Sequence, residues 1–184
     1  HEIYTLSLHD ALPIWPQETS GGMDVMFSTF LFTHNTQVAF LCFAWGFLLG
    51  LPTIYLLVKN GLMLGAFLGL FFSKGLGIEA VAWLAPHGVP EIGAIILCGG
   101  AGMAIGHRLL NPGGKPRRRA LTDTAVTACI NALGCVPLLM MAGLIEGSFR
   151  QSYASIEMRY ALVVIMLILC GGWLFGVRRW TTPA

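Results

Sequence analysis

A chain of 184 residues with 55% hydrophobic and 11% charged side chains, and a formal net charge of only +2, is too apolar and too thinly charged for an ordinary water-soluble domain. Its charges gather between long apolar runs, which excludes a soluble core wrapped in a solvated shell and excludes a nucleic-acid surface as the organising feature. Lipid is the solvent this pattern suits. The fold class that follows is all-α, a polytopic transmembrane helix bundle of about five spans.

The first fourteen residues stand apart. Thr5 to Ile14 reads TLSLHDALPI, which resembles the conceptual translation of a common sequencing adapter. Residues 1–14 are therefore expected to be foreign to the fold, with native sequence beginning between Trp15 and Gly22 and an N-terminal part missing. Residues 15–37 then form a linker and an interfacial segment. Within it Met23 to Thr33 is apolar but too short to span, and it ends in the polar group His34-Asn35-Thr36-Gln37.

Residues 38–180 make the transmembrane domain, with spans expected at about 36–58, 62–85, 88–110, 122–145 and 157–177. Gly46, Gly50 and Pro52 fall within the first span, and Lys59-Asn60-Gly61 reads as the turn that ends it. The second stretch is interrupted by Ser73-Lys74-Gly75, Gly77 and Glu79, so it is either one broken span or a re-entrant pair of half-helices. Gly88 and Pro90 suit the N-terminal turn of the third span, after Pro86-His87. Asp123, beside Thr122 and Thr124, suits the cap of the fourth.

Basic residues set the expected orientation. Arg117, Arg118 and Arg119 crowd one short loop with Lys115, and Arg178 and Arg179 follow the last span, so both places are assigned to the cytoplasmic side of a bacterial inner membrane. The same cluster suits contact with anionic lipid far better than nucleic-acid binding. Glycines recur four residues apart, as in Gly61, Gly65 and Gly69 or Gly102 and Gly106, which lets helix backbones approach closely within a bundle or a homo-oligomer.

Few polar side chains lie inside the apolar runs, and each is costly there. His87 and Glu91, four residues apart, share one helical face and are expected to form an outward-facing polar site at the rim of the third span, and Glu146 sits at the C-terminal end of its span, where the helix dipole disfavours a negative charge. Glu146 therefore needs a partner, with His87, Arg150 and Arg159 as candidates. Lys74, Glu79 and Asn131 form a second candidate set, within or beside the middle of spans. The five cysteines lie in apolar runs without metal-ligand spacing, and no nucleophile, phosphate-binding or dinucleotide motif appears, so neither an enzyme nor a cofactor or metal site is expected.

Four segments carry a family resemblance. They are Asn60-Gly61-Leu62-Met63-Leu64-Gly65; the run from Pro86 through His87, Gly88 and Glu91 to Ile95; Gly99-Gly100-Ala101-Gly102 with Gly106; and Gly143-Leu144-Ile145-Glu146-Gly147. In order and spacing they resemble the stage II sporulation protein M family over about residues 23–177. The resemblance implies a non-enzymatic integral membrane scaffold of the engulfment machinery that anchors peptidoglycan-remodelling proteins, with no catalytic residues to carry over. The competing reading from the residues is a transporter or channel component using the intramembrane polar groups. An intramembrane enzyme built on His87 and Glu91 lacks a nucleophile or a full metal shell.

Overall fold

The computed structural model describes residues 21–149 and 154–181. Among them the chain forms five helices and no strand: α1 (Gly21–Trp45), α2 (Leu51–Ser73), α3 (Gly77–Leu110), α4 (Arg117–Phe149) and α5 (Ile156–Thr181). Four of these, α2 to α5, are long and apolar enough to cross a membrane. α1 has the length but carries the polar run His34 to Gln37 near its middle. The molecule is an all-α polytopic membrane bundle, as the composition requires.

The helix boundaries differ from the expected spans, and the reason is the solvent. Lys59-Asn60-Gly61 is not a turn but lies inside α2, where the Asn60 side-chain amide donates to the Leu56 carbonyl at 2.8 Å. Pro86, His87 and Gly88 do not precede a helix; they belong to α3, which continues through Pro86 and Pro90 for 34 residues. In hydrocarbon a broken turn leaves backbone groups with no water to bind, so helices persist through residues that would end them in water. Lys59 is exposed eight residues into α2, and its long stem suits it to reach the nearer interface. α4 likewise begins at Arg117, ahead of the expected cap, and Asp123 is exposed on its second turn, paired with Lys115 at 2.9 Å.

The chain breaks where its freed carbonyls find donors. After α1 the Gly46 amide turns to Phe43 O instead of continuing the α-helical ladder, and the Thr53 hydroxyl of α2 donates to Cys42 O at 2.7 Å. Thr53 is fully buried for that purpose. Gly50 (φ 76°) then supplies the left-handed residue at the start of α2, with Pro52 in the first turn. After α2, Gly75 (φ 76°) closes a Schellman motif in which the Leu76 amide donates to Phe71 O and the Gly75 amide to Phe72 O. The expected interruption of the second stretch is thus present at Lys74 to Leu76, but residues 62–85 are neither one broken span nor a re-entrant pair: they are the end of α2 and the start of α3, and the expected first span 36–58 is likewise divided between α1 and α2.

α3 is the hub, packed against all four other helices. Asn35 meets Glu91 and Gly46 meets Gly102 and Gly106, so α1 runs parallel to α3. Thr53 faces Gly99 while Phe71 packs with Ala80 and Trp83, so α2 runs antiparallel to it. The Tyr160 hydroxyl donates to Ile78 O at 3.1 Å, bringing the start of α5 to the start of α3. α4 therefore runs down and α5 back, which puts the C-terminal end of α5, with Arg178 and Arg179, at the same end of the bundle as Arg117, Arg118 and Arg119.

Small residues make the α3 contacts close. A Cβ at Gly102 would fall on the Phe43 carbonyl, one at Gly46 on the Gly102 backbone, and one at Gly106 would lie 2.5 Å from Gly46 O. Towards α4 the core is Ala94, Cys98, Ala132, Cys135, Leu138 and Leu139, with Ala39 from α1. Gly61, Gly65 and Gly69 do not pack as expected, since nothing lies within 4 Å of a Cβ at any of them. Four-residue spacing marks the tight face of α3, whereas on α2 the same spacing faces outward. Gly102→Leu should accordingly lower bundle stability by about 1–3 kcal/mol through overpacking, while Gly65→Leu should leave it near the parent value, as read by unfolding of the purified protein in detergent.

Candidate functional site

The structure brings Asn35, Glu91 and Glu146 together from three helices, with His87 one turn from Glu91 on α3. Among the described residues Thr53, His87, Glu91, Glu146 and Arg159 are buried, with His87 1%, Glu91 5%, Glu146 1% and Arg159 7% exposed. His87 and Glu91 do share a face, but that face points into the bundle and not outward. Glu91 lies about 21 Å from the start of a helix about 51 Å long, close to its midpoint. His87 is about 6 Å nearer the start.

Glu91 is held from α1. The Asn35 side-chain amide donates to Glu91 Oε2 at 2.7 Å, while Glu91 Oε1 is buried without a hydrogen-bond partner. Glu146 of α4 lies close enough for the two carboxyls to interact electrostatically. The edge of the Trp83 ring meets His87 at 5.9 Å between centroids and 88° between planes, and Trp83 in turn packs on Phe67 of α2. Arg159 of α5 is buried with its Nε donating to Ala154 O at 3.3 Å. His87, Glu146 and Arg159 each take part in further side-chain interactions.

Local sequence explains the assembly. Proline at 86 and 90 withdraws the amides that would bond the Ala82 and Pro86 carbonyls, so α3 crosses its polar centre with two ladder bonds missing. A polar residue there is desolvated, and a carboxylate without a donor would be strongly destabilising. Asn35 supplies that donor. The polar run His34 to Gln37, expected at the end of a surface segment, is instead the part of α1 at the level of Glu91. Asn35 was the residue that sequence reasoning missed, although an amide amid an apolar run was its signal.

The other candidates are not gathered here. Lys74 is exposed at the α2–α3 connection, Glu79 is half-buried in the first turn of α3, and the two form no ion pair. Asn131 is half-buried on α4, where its backbone carbonyl accepts from Cys135 Sγ at 3.3 Å. Arg150 lies outside the described residues. Among the described residues no group of three His, Cys, Asp or Glu side chains is arranged to hold a metal ion. Two grooves at the surface, of about 350 and 470 Å³, are lined almost wholly by apolar groups, and none of the candidate polar residues lines either.

What this arrangement can do is fix register: one hydrogen bond ties α1 to α3, and the buried carboxyl of α4 adjoins it. Asn35→Leu should lower stability by about 1–3 kcal/mol, because it strands a buried carboxyl, and Glu91→Leu in the same chain should restore part of the loss. Glu146→Ala should destabilise the bundle measurably and Glu157→Ala should not, since Glu146 is buried and Glu157 is exposed in the first turn of α5. Thermal unfolding of the four variants in one detergent checks both statements.

Comparison with known proteins agrees with the motifs seen in the sequence. The family model described as stage II sporulation protein M matches residues 5–149, which takes in α1 to α4 and stops before α5. The match also enters the adapter-like stretch, starting at its first residue, Thr5. Neither the curated proteins nor the solved structures contain a match. The matched segment covers most of the chain and holds Asn35, His87, Glu91 and Glu146, so the protein is a membrane protein that belongs to the stage II sporulation protein M family.

Proposed function

We propose that the protein is a non-enzymatic scaffold of the bacterial cytoplasmic membrane that anchors or localises proteins remodelling the peptidoglycan envelope. The family supports this reading through the sporulation role in its description. The observation that carries it further is that the polar centre is packed shut. His87, Glu91 and Glu146 are each at least 95% buried, and the two surface grooves do not reach them. A transport route needs polar groups near the midplane that open to water, whereas a scaffold needs a rigid bundle with a fixed register.

The rival reading, a transporter or channel component, draws on two carboxyls near the bundle centre. The two readings differ in an assay on the full chain in its native membrane. A scaffold, when depleted, displaces envelope-remodelling enzymes from their sites, and in proteoliposomes it carries no proton or cation flux. Depletion that leaves those enzymes in place, with flux abolished by Glu91→Gln, would establish the rival.

The orientation proposed with this function is a cytoplasmic C-terminus and basic loop, following the excess of Lys and Arg at that end. In a chain with Cys129→Ser and Cys170→Ala, a cysteine replacing exposed Lys74 should react with an impermeant thiol reagent added to intact cells. One replacing exposed Pro116 should react only after lysis. The reverse pattern inverts the bundle.

A further inference from the structure

The outer face of α1 carries a feature that neither the family nor the polar centre accounts for. Met26, Phe30, Thr33, Gln37, Phe40 and Ala44 are all exposed and are spaced alternately four and three residues apart, the repeat of a helix that packs along another helix. His34 is exposed beside them, its ring stacked on Phe30 at 6.1 Å. Because Asn35 bonds Glu91, His34 and Gln37 lie at the level of the middle of α3, inside the stretch from Ala80 to Gly99 that the apolar α2 runs alongside, which places them at hydrocarbon depth if α2 crosses the membrane. Neither the His34 imidazole nor the Gln37 amide makes a hydrogen bond to a described residue. Thr33 differs, since its hydroxyl donates to Thr29 O at 2.7 Å.

An imidazole and a primary amide cannot remain bare in hydrocarbon, so something with hydrogen-bonding groups covers this stripe. We infer that it is the interface with a second copy of this chain, α1 against α1 in parallel about a twofold axis, with Gln37 facing Gln37. A carboxamide has both a donor and an acceptor, so two of them across a twofold satisfy each other. The stripe carries no Lys, Arg, Asp or Glu, so two copies approach without charge repulsion. Copies inserted in one membrane share an orientation, which makes the parallel pairing available. The exposed row Gly61, Gly65 and Gly69 on α2 creates no such demand, because small apolar residues rest against lipid at little cost.

The test uses the full chain in lipid bilayers, with the buried cysteines kept and Cys129→Ser and Cys170→Ala as background. Gln37→Cys and, separately, Phe40→Cys should form disulfide-linked homodimers under mild oxidation, while Met63→Cys on the exposed face of α2 should not. With fluorophore-labelled chains, Gln37→Leu should weaken dimerisation about tenfold or more and leave unfolding of the bundle unchanged. A monomeric parent chain, cross-linking at Met63 in preference to Gln37, or cross-linking of position 37 to a different polypeptide or to residues 15–20 of its own chain would each overturn the homodimer.

Discussion

Every backbone donor and acceptor inside a bilayer must find its partner within the protein, and the course of this chain follows from that. α2 passes through Lys59-Asn60-Gly61 and α3 through Pro86 and Pro90 because no water waits to take up the groups a turn would release. The two tight connections occur where substitutes exist. Thr53 reaches back to the carbonyl of Cys42, and Gly75 in the left-handed region lets Leu76 cap Phe71. Glycine and a single buried hydroxyl thus decide where the helices end, more than polarity does.

The same constraint shapes the interior. α3 brings an acidic side chain close to its own midpoint, and desolvation makes that position tenable only with donors nearby. Asn35 provides one, and in doing so sets α1 beside α3 at the register that also seats Gly46 on Gly102 and Gly106. A polar contact and a small-residue contact, separated by about three turns, fix the same helix pair. The remaining faces of α3 are occupied by α2, α4 and α5, so displacement of this one helix affects the whole bundle.

Much of this was legible in the residues, and what was not has a physical cause. The apolar runs foretold an all-α bundle, although the first two expected spans are each divided between two helices, and Ser73-Lys74-Gly75 marked a true interruption because glycine is needed there for a positive φ. Lys59-Asn60-Gly61 and Pro86-His87-Gly88 misled because turn and helix-breaker preferences are calibrated on competition with water, and shifting those two boundaries moved His87 and Glu91 from an outer rim to the interior. Glu146 is buried beside Glu91, a carboxyl neighbour that no reading of α4 alone could supply. Asn35 escaped because its importance comes from α3, 56 residues away, and no local pattern encodes a partner at that distance.

If the polar centre is a closed structural element, water does not reach the backbone around Glu91. Backbone hydrogen–deuterium exchange of the full chain in lipid nanodiscs measures this directly. Residues 87–95 of α3 should exchange as slowly as residues 132–139 of α4, which line the apolar core, and far more slowly than the loop at 111–116. Exchange at 87–95 approaching that of the loop would mean that water reaches Glu91, and would contradict a packed scaffold.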